Sequence, residues 1–169
     1  MIEVVVDSVR VSLFSQHRVV VLKDVVSSRY VPIWIGPFEA EAIAFELQGK
    51  RAPRPMTHDL LQDIVSSLGA VVSHVLVTEL RNDTFYARIF LEDDGRRVEV
   101  DSRPSDAIAL AVRSEAAIYV SDDVMAQAGL VPEPGLDIEE EDKLAPYRDF
   151  VESLDLELPG SEESDEDSA

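Results

Sequence analysis

The sequence predicts an α+β fold: a single domain with a mixed, mainly antiparallel sheet and packed helices. Three observations carry this. Valine-rich segments with period-two alternation come in runs of three, at 2–35 and again at 71–101. Segments with helical spacing of apolar residues separate those runs. The links Asn82–Asp83 and Asp94–Gly95 are tight-turn dipeptides, which join antiparallel neighbours.

Residues 2–13 read as a strand. Ile2, Val4 and Val6 alternate, and Val9, Val11 and Leu13 then alternate on the opposite parity, which predicts a bulge near Asp7–Ser8. Ser15–Arg18 is a turn, 19–26 a hairpin partner and Tyr30–Ile35 a short third strand. Gly36–Pro37 opens a helix over 37–48 with proline at its first position. This helix is apolar on most sides, so it needs cover from its own domain or from another subunit. After a Pro/Arg-rich loop, Thr57 is expected to cap a helix from His58 to Leu68, stopped by Gly69. Strands at 71–80, 85–92 and 96–101 follow. The segment DSRPSD, 101–106, leads into a third helix, AIALAVR. A short strand at 117–120 and a short helix capped by Ser121 and ending at Gly129 complete the order β-β-β-α-α-β-β-β-α-β-α.

The 169 residues fit one domain, 1–135, with an acidic extension at 136–158, read as a weak helix, and a tail at 159–169. The net charge is −19, but residues 137–169 hold 14 acids against 2 bases. The tail, PGSEESDEDSA, has no apolar residue larger than alanine and is expected to be disordered. The acidity argues against a protein that grips nucleic acid by bulk electrostatics, although Lys50, Arg51 and Arg54 form a local basic stretch. Cysteine is absent, which excludes disulfides, thiolate metal sites and cysteine nucleophiles. No apolar run is long enough to span a membrane, and Glu3 and Asp7 disfavour a signal peptide, so a cytoplasmic protein is expected.

Generic catalytic motifs are missing: no phosphate-binding glycine loop, no HExxH and no nucleophile elbow. Carboxylates beside Arg, Ser and His remain, in three places. Glu39 follows Gly36-Pro37-Phe38 at a helix start, as a metal ligand or base, or simply as a complement to the helix dipole. His58, with Asp59 beside it, could handle a proton near neutral pH, or the pair could be the solvated first turn of a capped helix. Asp101-Ser-Arg-Pro-Ser-Asp106 packs two acids, an arginine and two hydroxyls into a strand-to-helix junction. Its oxygens suit Mg²⁺ or Mn²⁺ and Arg103 suits phosphate; alternatively Arg103 locks the turn against a carboxylate.

At these same places the sequence resembles the bifunctional nuclease family. PIWIGPFEAEAIAFELQG (32–49), RPMTHDLL (54–61), NDTFYARI (82–89), DSRPSDAIALAVR (101–113) and IYVSDDV (118–124) carry the resemblance, in order. It implies an α+β domain, an assembly of more than one subunit and nuclease activity on RNA and DNA. Its polar motif residues are Glu39, His58, Asp59, Asp101, Arg103, Ser105 and Asp106. The expectation is therefore a phosphodiesterase acting on nucleic acid. Glu39, Asp101 and Asp106 would hold a divalent metal, His58 would handle a proton, and Arg103 would bind phosphate. A non-enzymatic assembly or ligand-binding module is the alternative. Convergence of the three motifs in space separates the two.

Overall fold

The computed structural model describes residues 1–11 and 17–131. The chain divides into two units, Met1–Pro132 and Glu133–Ala169, and the described residues all belong to the first. The extension at 136–158, the tail from Pro159 and the first half of the Ser15–Arg18 turn lie outside the described residues.

The elements follow the expected order. They are β1 (Ile2–Val11), β2 (Arg18–Asp24), β3 (Tyr30–Ile35), α1 (Pro37–Leu47), α2 (Thr57–Ser67), β4 (Val71–Arg81), β5 (Thr84–Asp93), β6 (Arg96–Ser102), α3 (Pro104–Ser114), β7 (Ala117–Val120) and α4 (Asp122–Ala128). Seven strands form one sheet in the order β3-β2-β1-β7-β4-β5-β6. Only β4 and β7 run parallel; every other pair is antiparallel. The sheet is thus mixed and mainly antiparallel. The parity flip in β1 is a register shift between Val6 and Ser8. Asn82 and Asp83 (φ 48° and 57°), like Asp94 and Gly95 (φ 44° and 80°), take the positive φ that a two-residue hairpin turn demands.

Register fixes which residues share a face. Val4 lies opposite Asp24 and Ile118, Val75 opposite Ile118 and Ile89, and Val77 opposite Val120 and Ala87. That face is buried under α3, whose run Ala107–Ala111 has almost no exposed surface. Four of the eight residues 104–111 are alanine or serine, so the helix backbone can lie close to the strands. The opposite face carries His74, which stacks on Phe90 with centroids 4.3 Å apart and meets the edge of Tyr119 at 5.6 Å. His74 is therefore a packing residue, as its strand position suggests.

α1 and α2 both pack on α3. The cover that α1 needs is intramolecular along Ala40, Ala42 and Ile43, whereas Phe38 and Leu47 stay exposed. α2 starts one residue earlier than expected. Met56, not Thr57, is the cap residue, and the Asp59 carboxylate reaches back to accept the Met56 N–H at 2.8 Å. An acid three residues into the helix thus satisfies the N–H of the cap residue itself, where the Thr57 hydroxyl was expected to accept one from the first turn.

Candidate active site

Glu39, His58 and Asp106 are the third residue of α1, the second of α2 and the third of α3. Arg103, the residue just before α3, joins Glu39 to Asp106, and His58 joins them through Asp106. Arg103 Nη2 donates to Glu39 Oε1 at 2.7 Å and to Asp106 Oδ1 at 3.1 Å, and its Nε donates to Asp106 Oδ2 at 2.8 Å. His58 Nε2 lies 2.9 Å from Asp106 Oδ1. The first turns of three 11-residue helices therefore meet at one point. Each turn presents unpaired backbone N–H groups and the positive end of a dipole, so the place where they meet favours negative charge.

Pro37 and Pro104 open α1 and α3, and each follows a residue in extended conformation, Gly36 or Arg103. The sharp start at Pro104 aims Asp106 back at Arg103. At α1 the Glu39 carboxylate folds over Gly36 so closely that a Cβ there would strike its Oε2. Glycine at 36 is thus what lets Glu39 turn toward Arg103.

Burial opposes the charge on Asp106, but hydrogen bonds from Arg103 and His58 outweigh it and hold the carboxyl below its ordinary value. The hydrogen bonds that Arg103 donates to Asp106 and to Glu39 raise the guanidinium further above its already high value. Because Asp106 is ionised, the 2.9 Å contact needs a proton on His58 Nε2, which leaves Nδ1 as the acceptor in a neutral ring. The His58 side chain is 10% exposed and that of Asp106 29%, so the histidine lies behind the carboxylate. Arg103 is 65% exposed, and its Nη1 donates to none of the described residues. Two N–H groups of a rigid fork thus face outward, uncommitted.

Asp101, Asp59 and Ser105 are not brought to this point. Asp101 lies opposite Arg88 in the β5–β6 ladder, one residue from the pair Ser102–Ala87. Ala87 is in the core, so the pleat turns Asp101 to the face away from α3. It is exposed and makes no side-chain hydrogen bond or ion pair among the described residues. Six residues of sequence look compact on paper, yet a strand end and a helix start point these two acids to opposite sides of a sheet. Ser105 is buried in the first turn of α3 and makes no hydrogen bond to the cluster. Asp59 Oδ1 instead accepts from Arg113 Nε at 2.6 Å. That bond and the Met56 N–H lower its pKa. Arg113 is 2% exposed; it also donates to Ala109 O at 2.9 Å on its own helix and to Ala42 O at 3.0 Å on α1. Arg113 closes the run AIALAVR as its one charged residue, and that is the signal the sequence holds for a clamp.

The carboxylates expected to hold Mg²⁺ or Mn²⁺ do not fit a metal in this arrangement. Glu39 and Asp106 are both taken by the Arg103 cation, Asp101 is on the other face, and no three His, Asp or Glu among the described residues are grouped to share an ion.

The fold and the cluster define an α+β domain in which side chains from the first turns of three helices gather around an exposed, carboxylate-held arginine. The pattern of the bifunctional nuclease domain matches residues 20–133, and the chain belongs to that family. An uncharacterized protein of Mycobacterium tuberculosis is 40% identical over 157 residues, covering 90% of this chain and 94% of its own. Bifunctional nuclease 1 of Oryza sativa subsp. japonica is 30% identical over 118 residues, 68% of this chain but 36% of the rice protein. Bifunctional nuclease 2 of Arabidopsis thaliana is 28% identical over 112 residues, 64% of this chain and 34% of the plant protein. The matched stretch is thus about a third of each plant relative. No helix among the described residues is long and apolar enough to cross a membrane.

Proposed function

We propose that this domain is a phosphodiesterase that cleaves RNA or DNA where α1, α2 and α3 meet. The observation that carries the reading is the exposed Arg103 fork, held by Glu39 and Asp106 over three helix N-termini with Nη1 uncommitted. A phosphate oxygen can take Nη1 without breaking any bond of the cluster. Charge developing on the phosphate in the transition state then meets a fixed cation and oriented backbone N–H groups, which need no reorganisation. A carboxylate held below its ordinary value is a weak base, so most of the rate enhancement is assigned to charge stabilisation. Asp106 orients the attacking water, and His58 holds Asp106 from the buried side. Glu39 holds the guanidinium in plane. No step of this reading runs through a metal.

The test is cleavage of labelled RNA and DNA strands by purified protein, beside R103A and D106N, with and without EDTA. Loss of cleavage in both variants, with folding intact by circular dichroism, supports the assignment. Cleavage equal to wild type in R103A overturns it. Loss in EDTA would mean that substrate brings a divalent ion to Glu39 and Asp106 in exchange for Arg103; persistence leaves Arg103 as the charge on the phosphate.

A self-assembling module is the second reading. The outer stripe of Leu60 and Ile64 on α2, with Leu68 just past its end, favours it, because all three are exposed. Light scattering of the purified protein tests it, and a monomeric mass at micromolar concentration counts against it.

A further inference from the structure

We propose that Phe38 is a stacking platform for an unpaired nucleobase whose phosphate lies on Arg103, which makes single-stranded nucleic acid the substrate class. The proposal rests on the phosphodiesterase reading of the site. Phe38 is the second residue of α1 and directly precedes Glu39, the residue that holds Arg103 Nη2 at 2.7 Å. Its side chain is 80% exposed in the first turn of the helix. The other phenylalanine of the helix behaves differently: Phe45 is half-buried, and the Lys50 ammonium sits 6.0 Å from its ring centre. Nothing in the described residues covers Phe38 in that way.

A nucleobase and its phosphate are joined through one sugar. An aromatic ring beside the group that holds a phosphate is therefore placed for the base attached to it. In a duplex both faces of a base are occupied by its stacked neighbours; an unpaired base has a face to offer. A phenylalanine ring has no hydrogen-bonding edge, so it accepts any base and gives no sequence preference. Arg54 supplies a second cation four residues before His58. It is exposed and makes no ion pair among the described residues, which suits a neighbouring phosphate of a strand passing over the site. The overall negative charge of the chain disfavours binding through phosphates alone, and stacking is a contact that this charge does not oppose.

The experiment is fluorescence anisotropy with a labelled 12-nucleotide DNA strand and its duplex, for wild type, F38A, F38L and F38W. Cleavage and light scattering are measured on the same samples. Wild type should bind the single strand more tightly than the duplex. F38A should weaken single-strand binding about tenfold, without changing the dependence on salt, because no phosphate contact is lost. F38W should restore binding and F38L should not, since leucine is apolar but has no π face. Equal binding by wild type and F38A, or full rescue by F38L, overturns the proposal. So does a dimer that dissociates in F38A, which would place the ring in a contact between copies. If F38A cleaves both strands like wild type while R103A does not, this inference fails and the phosphodiesterase reading stands. If wild type neither binds nor cleaves, both fail. Phe38-dependent binding without cleavage supports the platform and removes the catalytic reading.

Discussion

Arg103 and Arg113 lie ten residues apart at the two ends of α3, and each is paired with a carboxylate from a distant helix, Glu39 or Asp59. Their surroundings differ. Arg113 is buried and has its donors fixed by Asp59, Ala109 and Ala42, one contact on each of α2, α3 and α1. Gln62 adds a bond from α2 to the Arg113 carbonyl at 3.1 Å. Arg103 is exposed, and one of its nitrogens is free of partners among the described residues. The same guanidinium–carboxylate chemistry serves two ends. Enclosed, it ties three helices together; opened to solvent, it becomes a charge that a ligand can reach. The clamp also serves the site, since Asp59 adjoins His58 and the three tied helices are those that supply Glu39, His58 and Asp106.

The comparison breaks most visibly at the buried end. R113A would leave the Asp59 carboxylate without its cation and remove the side-chain bonds to the Ala109 and Ala42 carbonyls, which keep their helical N–H donors. A loss of about 3–5 kcal/mol in unfolding free energy is expected, read by urea denaturation. A loss below about 1 kcal/mol would mean the clamp is not structural. R103A should reverse the pattern. Exposed ion pairs contribute at most about 1 kcal/mol, so stability should change little, while cleavage falls by roughly 10²–10³-fold. If R103A instead unfolds the protein, the two arginines do not differ as described.

How much of this was legible in the sequence follows from the same contrast. Period and turn chemistry are local, so the strands, the β1 bulge, both hairpin turns and the Ser121 cap were all readable; the Ser121 hydroxyl does accept the Val124 N–H at 3.1 Å. The three motif regions were readable as well, because acids, histidine and arginine beside helix starts stand out against an apolar background. Partner choice was not. Asp59 and His58 are adjacent in sequence, yet one joins Arg113 and the other Asp106, since successive residues of a helix point about 100° apart. Asp101 and Asp106 seemed a pair until pleat parity separated them. Asp24 went unnoticed as a turn residue. It is buried, and it accepts from Ser27 Oγ at 2.5 Å, the Val26 N–H at 2.9 Å and Arg29 Nη2 at 2.8 Å, a set visible only once the β2–β3 link is closed.

Acid should separate the clusters more gently. Asp24 is held well below the ordinary aspartate value, chiefly by the Ser27 hydroxyl, and Asp59 is lowered chiefly by Arg113. A carboxyl whose folded pKa is depressed adds stability above its unfolded value, near 3.8, and loses it as pH falls through the folded value. Urea midpoints should therefore fall between about pH 5 and pH 2. D24N and D59N should be less stable at pH 7 and show a flatter pH dependence. A variant with the full wild-type slope would show that its carboxyl is not depressed in the folded protein.

The smallest expected effect sharpens the exposed end. Gly36 has φ −68° and ψ 158°, which alanine adopts without strain, so G36A carries no backbone penalty. Its new methyl would collide only with the Glu39 carboxylate, the end of a flexible side chain, which can swing aside. Doing so costs the 2.7 Å bond from Arg103 Nη2 and leaves both Asp106 bonds in place. The guanidinium would then be held from one side only. Thermal stability should stay within a degree or two, and cleavage should drop only a few-fold if Glu39 merely holds Arg103. E39Q, which keeps the shape and the acceptor but not the charge, should fall in the same range. A G36A or E39Q loss as deep as that of R103A would move Glu39 from holding the cation to acting on the substrate. The exposed cluster would then have two reacting groups rather than one.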